Sequence, residues 1–510
     1  MADSHQNPSP PLAGLARIRA LMRNPISIIG FAIAIVALGN ILYLFFIDLT
    51  SPHPSPYVGI LAYMVAPAFL ALGIALIIFG AFYARHRQLT SAGVPTYLRF
   101  DFSDPAQRGA VSFFLAFIVV FVGMSVVGSY KAYTFTDSIG FCGQLCHSVM
   151  NPEFTAYQQS PHARVACVDC HVGAGATWYV KSKLSGARQV VKTALNTFPR
   201  PVPTPVKNLR PAAETCEECH WPKKFFGAQL KVFNHYDSDE KNTPLQVRLL
   251  IKTGGGDPST GEPEGIHWHV DAANEVTYLA TDEKRQTIAY VRVRDGQGRV
   301  TEYYSKDANL PKDQIAKADK RRMDCVDCHN RPTHIYVPPE VSVDRSFNAH
   351  RLDISLPFLK QQAVAALTGK YDSTDAAMQG IAKTIYEFYS SKYPDLLKTK
   401  EPEIRGAIDE VQRIYKLTFF PEMKLDWRTH PNNIGHFYFS GCFRCHDGNH
   451  VSPEGKVIRK DCDLCHTVIE EQQNMVSMAS LPGVQFKHPV DLGDMTAVNC
   501  ADCHTGGVAP

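Results

Sequence analysis

Net charge is almost absent from this 510-residue chain: 52 Lys and Arg against 49 Asp and Glu leave +3. That balance gives no reason to expect a nucleic-acid partner. Cysteine is sparse as well. Fourteen cysteines are too dilute for a small disulfide scaffold, which needs about 8–10%, yet many for a reduced cytosolic enzyme. No cysteine is spare, no C-x-x-C-K is present, and no output domain is visible. These absences argue against structural disulfides, a terminal reductase and a redox sensor, in that order.

The cysteines fall in seven pairs, each followed at once by histidine. Six are strict: Cys167/Cys170–His171, Cys216/Cys219–His220, Cys325/Cys328–His329, Cys442/Cys445–His446, Cys462/Cys465–His466 and Cys500/Cys503–His504. The first, Cys142/Cys146–His147, has one extra residue between its cysteines. C-x-x-C-H is the attachment signature of c-type haem: two thiols add to the porphyrin vinyl groups and the adjacent histidine ligates the iron. Zinc would need grouped tetrahedral Cys/His sets, and disulfides would not need the histidine. Seven covalently attached haem c groups follow, the relaxed first motif admitting a disulfide or a haem-free cysteine pair as its alternative.

Three apolar runs precede the motifs, Ile26–Ile47, Val58–Tyr83 and Val111–Tyr130, each near the ~20 residues that span a bilayer. Asn40 is the one strongly polar intrusion. The length of the first run and the two that follow argue against a cleaved signal peptide. Buried core helices are the alternative, disfavoured because runs this apolar need lipid around them. Arg17, Arg19 and Arg23 precede the first run, Asp48–Tyr57 carries no Lys or Arg, and the next loop holds Arg85, Arg87, Arg99 and Arg108. The positive-inside rule then puts the N-terminus in the cytoplasm and everything after about residue 131 outside. In a bacterium this is the inner membrane with haem domains in the periplasm, where c-type haem is attached.

The reading of fold class is a membrane-anchored multihaem cytochrome: mainly α, with three N-terminal transmembrane helices, a haem-dominated core and a small inserted β-sheet. Residues 1–130 form the anchor and 131–354 a four-haem domain with a sheet at about 245–305. A helical connector occupies 355–425 and a three-haem module 426–510. Strand patterns mark Leu245–Lys252, Ile266–Val270, Val276–Ala280, Thr287–Arg294 and Val300–Tyr304. Helix patterns mark Ala376–Lys392, after Asp372-Ser-Thr-Asp, and Glu401–Leu417. The last three motifs occupy so short a segment that porphyrins must supply much of its apolar core.

Proximal iron ligands are the motif histidines His147, His171, His220, His329, His446, His466 and His504. A six-coordinate electron-transfer haem needs a second ligand, and the candidates near motifs are His162, His334, His436, His450 and His488, with His235 and His350 further off. His267 and His269 flank Trp268 on an expected strand and read as structural.

Phe141-Cys-Gly-Gln-Leu-Cys-His147, Met150, Ser160-Pro-His162, Cys167–His171, Trp178 and Lys181/Lys183 resemble the NapC/NirT membrane-anchored cytochromes over roughly residues 112–335. Three spans and seven haems are closest to the heptahaem inner-membrane members of metal-reducing bacteria. The resemblance implies quinol dehydrogenase activity, with menaquinol as substrate and periplasmic c-type cytochromes as acceptors. It also implies that Met150 ligates the first haem beside the quinol site, and that His334 reaches back to the second haem. Quinol oxidation releases two protons, which a base must accept. Relatives place a lysine and a carboxylate after the second motif. Here Lys181, Lys183 and Arg188 are present, residues 172–213 hold no Asp or Glu, and Gln189 stands where the carboxylate is expected. Asp137 and Asp169 are the alternative proton acceptors. The same basic patch could instead meet anionic lipid headgroups. From a different class, the chain could be a non-enzymatic relay subunit for a separate quinol-oxidising membrane protein. The sequence does not set the oligomeric state.

Overall fold

The computed structural model describes residues 24–50 and 65–92, scattered positions between 103 and 145, and most of 147–504. Short stretches are excepted, among them 173–175, 207–208, 222–224, 257–264 and several positions between 474 and 498. The chain divides into two compact units, Met1–Leu145 and Cys146–Pro510.

In the first unit, α1 (Pro25–Thr50) and α2 (Ala66–Ala92) pack together. Each contains a stretch long and apolar enough to cross a membrane, Pro25–Phe46 and Ala66–Ala84. Of the second expected span, residues 58–64 lie outside the described residues, and the third, Val111–Tyr130, lies almost wholly outside them. The pair is held by small residues. A Cβ on Gly30 would stand 2.7 Å from the Gly73 carbonyl oxygen, and one on Gly73 2.7 Å from the Ala34 nitrogen. Ser27 Oγ donates to the Ile77 carbonyl at 3.1 Å. Lipid offers no hydrophobic drive to pair helices, so close backbone approach and such hydrogen bonds carry the association. Ile35, Val36, Leu42, Phe79 and Phe82 remain exposed, as residues facing hydrocarbon would. At the end of this unit Phe141–Leu145 forms a wide π turn, the form in which a helix takes up one extra residue. The additional residue of the relaxed motif falls within it.

The second unit contains α3 (His147–Gln158) and α4 (Ala176–Ala194). A bundle follows: α5 (Pro339–Asn348), α6 (Leu359–Leu367), α7 (Thr374–Lys392) and α8 (Glu401–Thr418). Ser373 Oγ caps α7 by accepting from the Ala376 amide at 3.2 Å. Ile381, Ile385 and Tyr389 lie at helical spacing along α7, as do Ile404, Val411 and Ile414 along α8, and all are buried. With Leu356, Leu359, Leu367 and Val343 they form the largest apolar cluster. A haem-dominated core therefore does not extend to this segment, which packs through aliphatic side chains. Glu410 fastens the bundle. Burial alone would raise its pKa, but hydrogen bonds from Arg413, Ser346 and Arg351 outweigh it and hold the carboxyl down to about 2.

Among the described residues nine strands make two antiparallel sheets. They are β1 (Ala228–Tyr236), β2 (Pro244–Lys252), β3 (Glu275–Ala280), β4 (Ile288–Arg294), β5 (Val300–Ser305), β6 (Arg321–Arg322), β7 (His450–Val451), β8 (His466–Gln473) and β9 (Val476–Ala479). One sheet has the order β1-β2-β8-β9 and the other β6-β3-β4-β5-β7. This differs from a single sheet inserted at 245–305. β2 belongs with β1 and with β8, which starts at a motif histidine, and β7 also comes from beyond residue 440. Both sheets thus join the chain before 355 to the chain after 425. The expected strand at Ile266–Val270 is instead a single 3₁₀ turn. Its polar groups are satisfied locally: the Trp268 amide donates to Gly265 O at 3.0 Å, His269 Nδ1 meets Ile266 O at 2.9 Å, and Asn274 Nδ2 donates to Trp268 O at 3.0 Å.

Candidate haem-ligand pairs

C-x-x-C-H places its two cysteines and its histidine at i, i+3 and i+4, the positions that share one face of a helical turn. The described motifs adopt such turns. The amides of His220, His329, His446 and His504 donate to the carbonyl of the first cysteine at 2.7, 2.8, 3.0 and 2.8 Å. Acidic residues inside or before the motifs cap them: Asp169 Oδ2 accepts from Ala166 N at 3.1 Å, and Asp324 Oδ1 from Val326 N at 3.0 Å. Asp169, an alternative proton acceptor, is thereby committed to its cap. The side chains of Cys146 and His147 lie outside the described residues.

The attachment cysteines differ in exposure. Cys142, Cys167, Cys170 and Cys500 are half-buried, whereas Cys219, Cys328, Cys462 and Cys503 are exposed. The last motif shows the contrast most plainly. Cys500 opens the one-turn helix Cys500–Cys503 and Cys503 closes it, so the second thiol stands at the surface. Cys462 and Cys503 are exposed likewise, so these thiols are open to a group added from outside.

Each of the other six motif histidines faces one further histidine. The ring centroids are separated by 6.2 Å for His171 and His334, 6.0 Å for His220 and His162, and 6.3 Å for His329 and His267. They are 5.8 Å apart for His446 and His269, 6.1 Å for His466 and His436, and 6.1 Å for His504 and His488. A metal held by two imidazole nitrogens at about 2.0–2.1 Å each puts the ring centroids roughly 6 Å apart. Direct contact in the same neighbourhood is closer: Phe225 stacks on His267 at 4.2 Å, Phe443 on His436 at 4.3 Å and Phe437 on His504 at 4.1 Å. The twelve residues are six disjoint pairs, so the residues present fit one hexacoordinate iron apiece. Among the described residues no group of three or more His, Cys, Asp or Glu converges as a metal cage, which sets the arrangement apart from zinc.

Backbone carbonyls fix several of these rings. His162 Nδ1 lies 3.3 Å from Pro332 O, His334 Nδ1 2.9 Å from Glu153 O and His267 Nδ1 2.7 Å from Thr253 O. His446 Nδ1 lies 2.6 Å from Arg459 O. An Nδ1–H donated to a carbonyl leaves the lone pair on Nε2, the usual way a protein orients a ligating imidazole. Burial lowers the pKa of His171, His269, His329, His436, His446, His466 and His504, and takes His334 down to about 4. All are thus kept in the neutral form that can bind iron.

The remaining candidates are placed elsewhere. His450 is 1% exposed, and its Nδ1 and Nε2 lie 3.0 Å from Asp447 Oδ1 and 3.0 Å from Ile288 O. Both nitrogens are taken by oxygen acceptors, so its closeness in sequence to the fifth motif does not make it a ligand. His350 is exposed, in a left-handed conformation past the end of α5, and His235 pairs through Nδ1 with Asp344 at 3.3 Å. His267 and His269 were the ligand candidates that sequence reasoning missed. Number alone did not single them out, because five histidines near motifs and two further off already exceeded the six places.

Thiols of successive motifs lie near one another. Cys219 adds to the upward pKa shift of Cys170, Cys216 shares a hydrogen bond with Cys325, and Cys442 adds to the upward shift of Cys328. Cys442 adds likewise to the shift of Cys465, and Cys462 to that of Cys500.

Met150 is half-buried on α3. Lys181, Lys183 and Gln189 all lie on α4. Lys181 is exposed, Lys183 half-buried, and Gln189 Nε2 donates to Ser185 Oγ at 3.2 Å. The same helix exposes Leu184 and Val191, and Leu195 just past its end is exposed too. On α3, Glu153 is buried and accepts from the Tyr336 hydroxyl at 3.1 Å. Burial raises its pKa, against hydrogen bonds from its own backbone and from Tyr336 and the charge of Arg331.

Comparison with known proteins gives three results. The family model of the NapC/NirT cytochrome c family, N-terminal region, matches residues 105–202. The cytochrome c-type protein ImcH of Geobacter sulfurreducens is 45% identical over 493 residues, 96% of this chain and 96% of that protein. The cytochrome c-type protein NrfH of Wolinella succinogenes is 31% identical over 98 residues, 19% of this chain and 55% of that protein. No solved structure matches.

Proposed function

Since the chain belongs to the family of the cytochrome c-type protein ImcH, with a NapC/NirT N-terminal region, we propose that it oxidises menaquinol at the bacterial inner membrane. Its electrons pass through seven haem c groups to periplasmic c-type cytochromes. The observation that carries this reading is the set of six histidine pairs, each joining a motif histidine to a second ring at 5.8–6.3 Å. Haem c supplies the one-electron couple that lets a two-electron quinol discharge stepwise.

The chain's own residues divide the remaining work. The fourteen cysteines, from Cys142 to Cys503, anchor the haems. His171/His334, His220/His162, His466/His436 and His504/His488 fix four irons, and His147 with Met150 serves the first. Close succession of the motifs keeps neighbouring groups near one another, and porphyrin fills the apolar space around the cysteine segments. The anchor helices hold the N-terminus on the cytoplasmic side and residues beyond about 131 in the periplasm. α4 lies at the membrane surface: its exposed Leu184 and Val191, with Leu195 just past its end, meet the bilayer, while its basic, acid-free character suits anionic headgroups. Lys183, supported by Lys181 and Gln189, receives protons released by the quinol.

The test uses purified full-length protein and a reduced menaquinol analogue, followed by haem absorbance. Reduction of haem without any other subunit is the expected result. Reduction only after a second membrane protein is added would instead make the chain a relay. Lys183→Ala is expected to slow reduction roughly 10²-fold with haem content unchanged, and unaltered kinetics would remove Lys183 from the site.

A further inference from the structure

The turn Ile266–Val270 carries two of the six paired histidines, separated by one residue. His267 faces His329 of the fourth motif with the two rings almost parallel, 2° apart, and His269 faces His446 of the fifth with the rings at 86°. In a 3₁₀ turn successive side chains are a third of a revolution apart, so residues two apart project in different directions. That is how one turn can address two sites. The motifs served belong to the two groups of cysteine motifs, which the helical bundle separates in sequence.

The same place is locked by direct contacts. Arg444, inside the fifth motif, donates from Nη2 to the Asp327 carbonyl inside the fourth at 2.8 Å, and from Nη1 to the Arg285 carbonyl at 2.8 Å. Asn433 Nδ2 also donates to Asp327 O at 3.0 Å. Asp327 is 2% exposed and takes hydrogen bonds on Oδ1 from Tyr278 at 2.7 Å, Arg321 at 2.8 Å and Arg285 at 3.1 Å. Trp268 packs into the apolar cluster of Val276 and Tyr278 that also borders Cys445. Phe225 backs the His267 ring at 4.2 Å. The turn, the fourth motif and the fifth motif therefore form one cross-braced body, although residues 329 and 442 are far apart in sequence.

We propose that His267 and His269 are the second axial ligands of the fourth and fifth haem irons. By holding both irons from one turn, they fix the spacing at the junction where electrons leave the N-terminal four-haem group for the C-terminal three-haem group. This rests on the haem c reading and deepens it: the His-Trp-His turn is a shared ligand strap, and Arg444 is the residue that positions one motif against the other.

The test compares the full-length protein with His267→Ala, His269→Ala and the double variant. Covalent haem is counted by pyridine haemochrome, and iron spin state is read by low-temperature EPR with magnetic circular dichroism. Each single variant is expected to convert one low-spin iron to high spin at unchanged haem count, the double variant two, and added imidazole to restore low spin. His350→Ala, at an exposed histidine, should change nothing. All irons remaining low spin in the alanine variants would overturn the assignment. Where an alanine variant does not accumulate, His267→Met and His269→Met each predict one new Met/His signature, and an unchanged bis-histidine spectrum overturns the proposal equally. A wild-type protein without covalent haem would sink the underlying cytochrome reading, and the haem count alone shows which has failed.

Discussion

A chain carrying Cys325→Ser and Cys328→Ser together is expected to hold six haems, of which a quinol analogue rapidly reduces only three. Thiols of successive motifs lie near one another, with Cys216 hydrogen-bonded to Cys325 on one side and Cys442 adding to the upward pKa shift of Cys328 on the other. Removing the fourth haem therefore cuts the row in its middle. Motifs one to three stay on the quinol side, and motifs five to seven lose their donor. Haem absorbance during stopped-flow reduction reads the fraction directly, and the pyridine haemochrome count confirms that one group alone is missing. The bundle of α5–α8 carries its own aliphatic core and should keep its helical circular dichroism in this variant. Rapid reduction of all six remaining haems would show that electrons do not follow the motif order.

Lys360→Ala is expected to destabilise the second unit by about 3–5 kcal/mol. Lys360 Nζ donates to Asp344 Oδ1 at 2.7 Å, and the two side chains are only 8% and 4% exposed. Removing the lysine leaves a buried carboxylate with His235 as its remaining ionic contact. The site also ties separate elements together. Asn242 accepts from the Lys360 amide at 2.9 Å and donates to the Ile354 and Leu356 carbonyls at 2.9 and 2.9 Å, fastening the β1–β2 connection to α6. Replacing the pair by Lys360→Met with Asp344→Leu should recover much of the loss, because an apolar pair of similar volume escapes the desolvation cost. Denaturant unfolding followed by helical circular dichroism measures both. A change below about 1 kcal/mol for Lys360→Ala would mean that water reaches the pair.

The candidate haem-attachment motifs were legible because C-x-x-C-H is written in consecutive residues. The helices of 374–418 were legible through apolar positions such as Ile381 and Ile385, whose 3.6-residue period needs no knowledge of the partner. Sheet membership was less so: β2 finds one neighbour in β8, more than 200 positions away, and no local pattern records that. Ligand choice divides in the same way. His488 sits near the motif it faces, and His162, His334 and His436 each sit near one motif but face another, whereas His267 and His269 lie 62 and 177 positions before His329 and His446. His450, four residues after His446, shows the converse, since the Asp447 carboxylate and the Ile288 carbonyl already occupy its ring. Alternation around Trp268 suggested a strand, but the turn's own hydrogen bonds prevailed there.

Near-infrared magnetic circular dichroism of the purified full-length protein, scaled to haem by pyridine haemochrome, tests the six ligand pairs together. Bis-histidine and Met/His irons have distinct signatures, so the spectrum counts them. The six pairs predict six bis-histidine irons, and the proposed function adds a seventh covalent haem with a Met/His signature from the first motif. Fewer than six bis-histidine irons in a protein of full haem content would contradict the pairing.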